Sequence, residues 1–159
     1  MLTETYPAQQ RTPSPVLWAL TSGGTGLLAN VLLILFFLLA RPFGVNGPLA
    51  DAGQDFMWLG SANDVVIIVQ FLTFIPVALA LRRWLPPTRS VRLATAAAVV
   101  AMAAVAILQL LLVAGVMEFD VQVMFVVATF LVVYAWMIAV SSTGHRHGTL
   151  PRSVTRFGL

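Results

Sequence analysis

Amide side chains lie within or beside the apolar stretches of this chain, and one carboxylate borders a stretch; these residues are its best candidates for chemistry. They are Asn30, Asn63, Asp64, Gln70, Gln109 and Gln122, accompanied by the hydroxyls of Thr73 and Thr129. A polar side chain within a long apolar run needs a hydrogen-bond partner or a cavity, so such residues are the first candidates for a binding site.

The spacing of these residues predicts a shared polar layer. At a rise of about 1.5 Å per residue, Asn30, Gln70 and Gln109 lie roughly 9–15 Å inside the same side of the apolar runs. Two roles compete for this layer. Interhelical hydrogen bonding is the commoner use of such amides. The alternative is an outward-facing pocket for a small polar or amphipathic ligand, with Arg41 near its mouth. The candidate ligand-binding residues are Asp64, Asn63, Gln70, Asn30 and Gln109.

Other polar constellations do not support catalysis or cofactor binding. The cluster 23–26 (GGTG) lacks the lysine and the preceding strand of a phosphate-binding loop. His145 ends the last apolar run and His147 lies beyond it, so neither is placed within a span to ligate haem across a bilayer. Glu118 and Asp120 occupy a tight turn and are typical of helix caps. Since there is also no cysteine, the sequence predicts a non-enzymatic protein with no catalytic residues, no metal site and no cofactor.

Four long apolar runs must position these residues. They are Val16–Ala40, Val65–Leu81, Leu93–Met117 and Val121–His145, and none contains Asp, Glu, Lys or Arg. About 20 apolar residues cross a hydrocarbon core of roughly 30 Å as a helix. Hydrophobic residues make up 59% of the chain and charged residues 9%, whereas soluble domains have about 25% charged residues. The sequence therefore predicts one all-α domain, 1–159, with transmembrane helices at about 16–40, 61–81, 92–116 and 120–142, in an up-down-up-down antiparallel bundle.

Charge differs between alternate loops. Eight of the nine arginines lie in the first segment, the loop between the second and third runs, and the last segment, together with a single acid, Glu4. The remaining loops hold Arg41 and the five other acids. Because cytoplasmic loops are enriched in Lys and Arg, both termini are predicted to be cytoplasmic. Despite the net charge of +3, this distribution favours a lipid bilayer rather than nucleic acid as the partner.

Turn and cap signals predict the ends of the helices. Pro86 and Pro87 should end the second helix, Pro76 should kink it, and Ser90 should cap the third. A short surface helix is predicted within 42–60, where Leu49, Ala52, Phe56 and Leu59 recur at helical spacing. The residues after 140 and the segment before Ser14 are predicted to be short flexible tails.

Small residues predict how helices approach one another. Ala19, Gly23, Gly26 and Asn30 form one seam in the first run, and Ala94, Ala97, Ala101 and Ala104 form another in the third. Close packing through small residues drives helix association in lipid. We therefore expect an accessory or structural subunit that contacts other membrane subunits or itself.

The segment 60–81 resembles a group of small bacterial membrane proteins of unknown function. The resemblance rests on Gly60-Ser61-Ala62-Asn63-Asp64, which opens the second run, and on Ile75-Pro76-Val77-Ala78-Leu79-Ala80-Leu81, which closes it. It covers about 25 residues. It implies a four-helix membrane protein of a bacterial cytoplasmic (inner) membrane and implies no activity.

The predicted orientation is tested with reporter fusions. A phosphatase active only outside the cytoplasm, fused within 82–92, should be inactive, because this loop carries Arg82, Arg83, Arg89 and Arg92 and no acid. The same reporter fused at Glu118 should be active. An active fusion within 82–92 would contradict the orientation.

Overall fold

The computed structural model describes residues 15–40 and 55–149, and every regular element in these ranges is helical. Helix α1 spans Pro15–Leu35 and continues as a π-helical segment, Phe36–Ala40; α2 spans Trp58–Trp84, α3 spans Arg89–Val113 and α4 spans Phe119–His147. All four are long and apolar enough to cross a membrane. The prediction of an all-α, four-helix, multi-pass membrane protein is confirmed. Arg41 and most of the predicted surface helix lie within 41–54, outside the described residues. Leu59, the last residue of that predicted helix, belongs to α2, which begins at Trp58 rather than near 61.

The connection between α2 and α3 follows its sequence signals, with one correction. Leu85 is extended, with φ −98° and ψ 156°, as expected for a residue before proline. The cap of α3 is Thr88 rather than the predicted Ser90, because the Thr88 hydroxyl accepts a hydrogen bond from the Val91 backbone N–H at 3.3 Å. The helix therefore begins at Arg89, one residue before Ser90. Helix α2 continues through Pro76.

The end of α4 differs from the prediction. The helix continues to His147, beyond the expected end near 142, so residues 141–147 are not part of a flexible tail. Ser141 and Gly144 are buried, and burial on one face explains why the helix persists. Gly148 ends it with a left-handed backbone (φ 62°), while the Thr149 N–H reaches the Gly144 carbonyl at 3.1 Å. This geometry is typical of glycine-terminated helices.

The helices pack in chain order and leave one side open. Contacts link α1 to α2, α2 to α3 and α3 to α4, but no Cα of α1 lies within 8 Å of a Cα of α4. Neighbouring helices are antiparallel: Phe36 near the end of α1 lies against Gly60 near the start of α2, and Gly26 lies against Gln70. We call the end where α2 and α4 begin the acidic end (Asp55, Asp64, Glu118, Asp120). The end where α2 finishes and α3 begins is the basic end (Arg82, Arg83, Arg89, Arg92).

Small residues on α3 admit large ones from α2 and α4. Ala98 is completely buried, as are Met102 and Val105. Only Ala101 of the predicted alanine seam is buried, whereas Ala97 is exposed. The buried face of α3 is thus rotated from the predicted one and serves packing within the chain.

Trp136 is the largest side chain in this core, and it contacts two helices. Its indole N–H donates to the Thr95 hydroxyl at 3.3 Å, and that hydroxyl donates to the Val91 carbonyl at 2.8 Å. The Trp136 ring meets the ring of Phe74 edge-on, with centroids 5.9 Å apart. A buried indole N–H requires such a partner, so Trp136 fixes the depth of α4 against α2 and α3.

The packing of α3 is tested by enlarging one alanine. Ala98→Leu should lower the thermal midpoint of the detergent-solubilised protein, because extra methylenes in a filled interface cost about 1–3 kcal/mol. Ala96→Leu is the matched control, since Ala96 is exposed on the same helix, and its midpoint should change little. The thermal midpoint is measured by circular dichroism. An equal drop in the midpoint of both variants would contradict the packing described here.

Candidate functional site

A cavity of about 450 Å³ lies at the acidic end, and we call it the acidic-end pocket. Its wall combines residues from all four helices and the segments that flank them. Asn63 and Asp64 supply the amide and the carboxylate, and the aromatic lining comes from Phe36, Phe37 and Phe119. A mostly apolar cavity with a few polar groups is typical of small-ligand sites.

The π-helical segment shapes this pocket. Phe36 begins the segment, and its ring lies so close to Gly60 that a Cβ there would be 3.2 Å from Phe36 Cε2. The Phe36 and Phe37 rings have centroids 5.6 Å apart. Single π-helical turns are frequent at functional sites because they redirect side chains. Here the segment turns two adjacent aromatic rings toward the start of α2.

Asn63 and Asp64 differ in burial although they are neighbours on α2. Asn63 is 5% exposed, and its Oδ1 atom has no hydrogen-bond partner among the described residues. Asp64 is half-buried, and its carboxylate forms no ion pair with a described residue. Both residues therefore present hydrogen-bond acceptors at this end of α2.

Two further buried amides share this level of the fold. Gln109 is 4% exposed and Gln122 is 2% exposed; within the ranges 15–40 and 55–149, Gln109 Oε1 and Gln122 Nε2 have no hydrogen-bond partner. From the nearest helix ends, Asn63, Gln109 and Gln122 lie about 5–8 Å deep on α2, α3 and α4. Each unsatisfied buried polar atom costs about 1–3 kcal/mol. The acidic end thus concentrates unmet hydrogen-bonding capacity.

Gln70 lies in a different place, a second cavity of about 450 Å³ between α1 and α4, which we call the lateral groove. Ser22 on α1 donates to the Gln70 backbone carbonyl at 3.4 Å. Gly26 permits the close approach of the Gln70 side chain, because a Cβ there would lie 2.8 Å from Gln70 Nε2. The opposite wall is formed by α4, where Tyr134 is exposed.

Asn30 lines neither cavity. It is exposed on α1, and its amide Nδ2 donates to the Gly26 carbonyl of the same helix at 2.8 Å. It lies about 15 Å from the nearer end of the continuous helix Pro15–Ala40. A polar side chain at this depth faces hydrocarbon unless another molecule covers it.

The structure thus distributes the predicted polar layer over separate environments. Asn63 and Asp64 line the acidic-end pocket, Gln70 lines the lateral groove, Gln109 is buried on the packed face of α3, and Asn30 is exposed. No hydrogen bond joins any two of these five described residues. The structure therefore shows no interhelical hydrogen bonds among these five residues, although such bonding was one of the two roles considered for the polar layer.

Sequence reasoning missed several residues that shape the cavities. The contribution of Phe36 depends on the π-helical segment, for which the sequence carries no clear signal. Gln122, already named among the polar candidates of the sequence, lines none of the cavities described here; it is buried on α4. In the described ranges 15–40 and 55–149, no group of three or more His, Cys, Asp or Glu residues could hold a metal ion.

Comparisons of the chain with protein-family models, with curated proteins and with solved structures gave no match. Functional inference therefore rests on the residues and their surroundings.

Proposed function

We propose that this chain is a non-enzymatic integral membrane protein that serves as a structural subunit and associates with a second copy of itself through α1. The observation that carries the proposal is the exposed amide of Asn30 near the middle of α1. Hydrocarbon offers no hydrogen bonds, and among the described residues the Asn30 side chain bonds only its own helix, at the Gly26 carbonyl. A second protein surface would supply the remaining partner.

The neighbourhood of Asn30 suits close helix contact. Gly23 lies on the same face, seven residues earlier, and no atom lies within 4 Å of the position of a Cβ there. Ala19, four residues before Gly23, is also exposed. Small side chains let two helix backbones approach closely, and this close approach favours association in lipid.

A symmetric pair accounts for the amide. An asparagine carries both donors and an acceptor, so Asn30 of one copy can bond Asn30 of the other across a two-fold axis. Such isologous contacts are the commonest in homo-oligomers. Within one chain α1 packs against α2 alone among the other three helices, which leaves this face available.

The remaining polar side chains support a non-enzymatic role. The hydroxyls of Thr21, Thr25, Thr73 and Thr129 all donate to carbonyls of their own helices. A hydroxyl held in this way is not oriented by a neighbouring base, as a nucleophile must be.

Association through α1 is tested by two substitutions. Asn30→Leu should weaken the dimer about threefold to twentyfold, the equivalent of one interhelical hydrogen bond of about 0.6–1.7 kcal/mol. Gly23→Leu should weaken it further by separating the backbones. The measurement is energy transfer between labelled copies in vesicles at increasing lipid-to-protein ratio.

Gly24→Leu is the matched control for Gly23→Leu. Both glycines have open space at the Cβ position, so neither change disturbs the fold, but Gly24 points about 100° away from Gly23 around α1. Unchanged energy transfer in both Asn30→Leu and Gly23→Leu, or an equal loss in Gly24→Leu, would refute association through this face.

A second candidate function is binding of a small amphipathic amine in the acidic-end pocket. The observation that favours it is the unpartnered, buried Oδ1 of Asn63 beside the unpaired Asp64 carboxylate. Two acceptors match an N–H donor, and the rings of Phe36, Phe37 and Phe119 suit both an alkyl chain and a cationic head.

Ligand binding is tested with octylammonium, with octanoate as the comparison, by calorimetry on protein in nanodiscs. Asp64→Asn should weaken octylammonium binding at least about tenfold, because a charged hydrogen bond is lost. Asp55→Asn should have no effect, because Asp55 is an exposed acid near the same end that does not line the pocket. Equal binding of octanoate, or equal loss in Asp55→Asn, would exclude this function.

A further inference from the structure

At the basic end, the turn between α2 and α3 encloses a cavity of about 540 Å³, which we call the basic cleft. Arg82, Arg83 and Arg92 line it, together with Leu79, Leu85 and Val91 and the two prolines of the turn. Its volume lies within the range of about 300–1,000 Å³ found for small-molecule sites. The cleft is distinct from the acidic-end pocket, the lateral groove and the α1 face.

The charge in this cleft is not compensated within the described residues. All four arginines around the turn between α2 and α3 are exposed, and none forms an ion pair with a described residue. The described acids, Asp55, Asp64, Glu118 and Asp120, belong to the opposite end of the fold. Like charges held so close together repel one another, so an anion bound among them is strongly favoured.

The shape of the donors identifies the kind of anion. A guanidinium group presents a planar set of N–H donors that fits phosphate oxygens in pairs. Arg82 and Arg83 lie in the last turn of α2, whereas Arg92 lies in the first turn of α3. A phosphate in the cleft therefore contacts both helices at once.

The apolar half of the cleft distinguishes a lipid phosphate from a free one. Leu79 lies on the membrane side of Arg82 and Arg83, because it is further inside α2, and Val91 lies beside Arg92 in the first turn of α3. Trp84, at the end of α2, is exposed, and this is the level at which tryptophan meets lipid headgroups. A phosphate ester with acyl chains can contact both the arginines and the apolar side chains of the cleft, whereas inorganic phosphate can contact only the arginines.

We propose that the basic cleft binds the phosphate headgroup of one acidic phospholipid. The guanidinium groups of Arg82, Arg83 and Arg92 hold the phosphate, and Leu79 and Val91 contact the first part of the acyl chains. Basic pockets between helix ends are a recurring way of holding anionic lipids. The bound lipid connects the end of α2 to the start of α3 and so stabilises the turn.

The proposal is tested by native mass spectrometry of the full chain in mild detergent, titrated separately with phosphatidylglycerol and phosphatidylcholine. The wild-type protein should retain one phosphatidylglycerol at least about tenfold more tightly than phosphatidylcholine. Arg82→Gln, Arg83→Gln and Arg92→Gln should each reduce this preference about fivefold to tenfold. Arg82→Lys should fall between wild type and Arg82→Gln, because the charge remains and the paired donors are lost.

Arg89→Gln is the matched control. Arg89 is exposed in the same turn and carries the same charge, but it does not line the cleft, so its substitution should change the preference less than about twofold. All of these side chains are exposed, and retained helicity by circular dichroism should show that each variant folds. A loss in Arg89→Gln equal to that in Arg82→Gln would overturn the proposal by showing diffuse attraction only.

A soluble-anion arm separates the two sources of phosphate. Millimolar inorganic phosphate should not displace bound phosphatidylglycerol from the wild-type protein if the acyl contacts contribute. Displacement of phosphatidylglycerol by inorganic phosphate would overturn the assignment of a lipid site. Binding of inorganic phosphate without any preference for phosphatidylglycerol would also overturn it. Preferential retention of an acidic soluble protein with no lipid preference would overturn it equally.

Discussion

The lack of hydrogen-bonding solvent in the bilayer core is the constraint on which this structure depends. Every backbone N–H and C=O within a span must be paired inside the protein, and helices achieve this without help from neighbours. Side chains face the same requirement. The threonine hydroxyls meet it locally: Thr73, Thr95 and Thr129 each donate to a carbonyl about one turn earlier, at 2.8–3.1 Å. Hydroxyl groups are therefore tolerated throughout the spans.

Amides cannot be satisfied so simply, because each carries two donors and an acceptor. Asn30 uses one donor on its own helix and leaves the rest of its amide exposed. Asn63, Gln109 and Gln122 are buried, and one side-chain atom of each has no hydrogen-bond partner in the described part of the chain. The contrast between hydroxyls and amides accounts for the distribution of candidate sites: places where the chain does not meet its own requirement are places where another molecule is expected.

Differences in side-chain size explain why one side of the fold is filled and the other is open. Alanines on α3 leave room for Trp136 from α4, and Phe74 of α2 meets the same indole ring. The small residues of α1 lack such a partner on α4, so the two helices do not meet. The lateral groove and the exposed face of α1 follow from that separation.

Much of the fold could be predicted from the sequence because the physical signals are local. The length of the apolar runs predicted the number of spans, and Pro86 and Pro87 predicted the end of α2. The absence of charged residues within the runs indicated that the helices can face lipid. Small errors came from competing local signals: Thr88 rather than Ser90 caps α3, because the helix begins one residue earlier. Burial of Ser141 and Gly144 extended α4 beyond its predicted end.

The sequence by itself determined that this is a multi-pass helical membrane protein and which polar side chains require an explanation. Only the tertiary structure decided which of those side chains share an environment. Depth along a helix is readable from residue number, since the rise per residue is constant. Rotation of one helix against another is not, because it depends on how all side chains of both surfaces interlock. For that reason Asn63 and Asp64 share a pocket with Phe36, whereas Gln70, Gln109 and Asn30, at predicted depths close to one another, face three different surroundings.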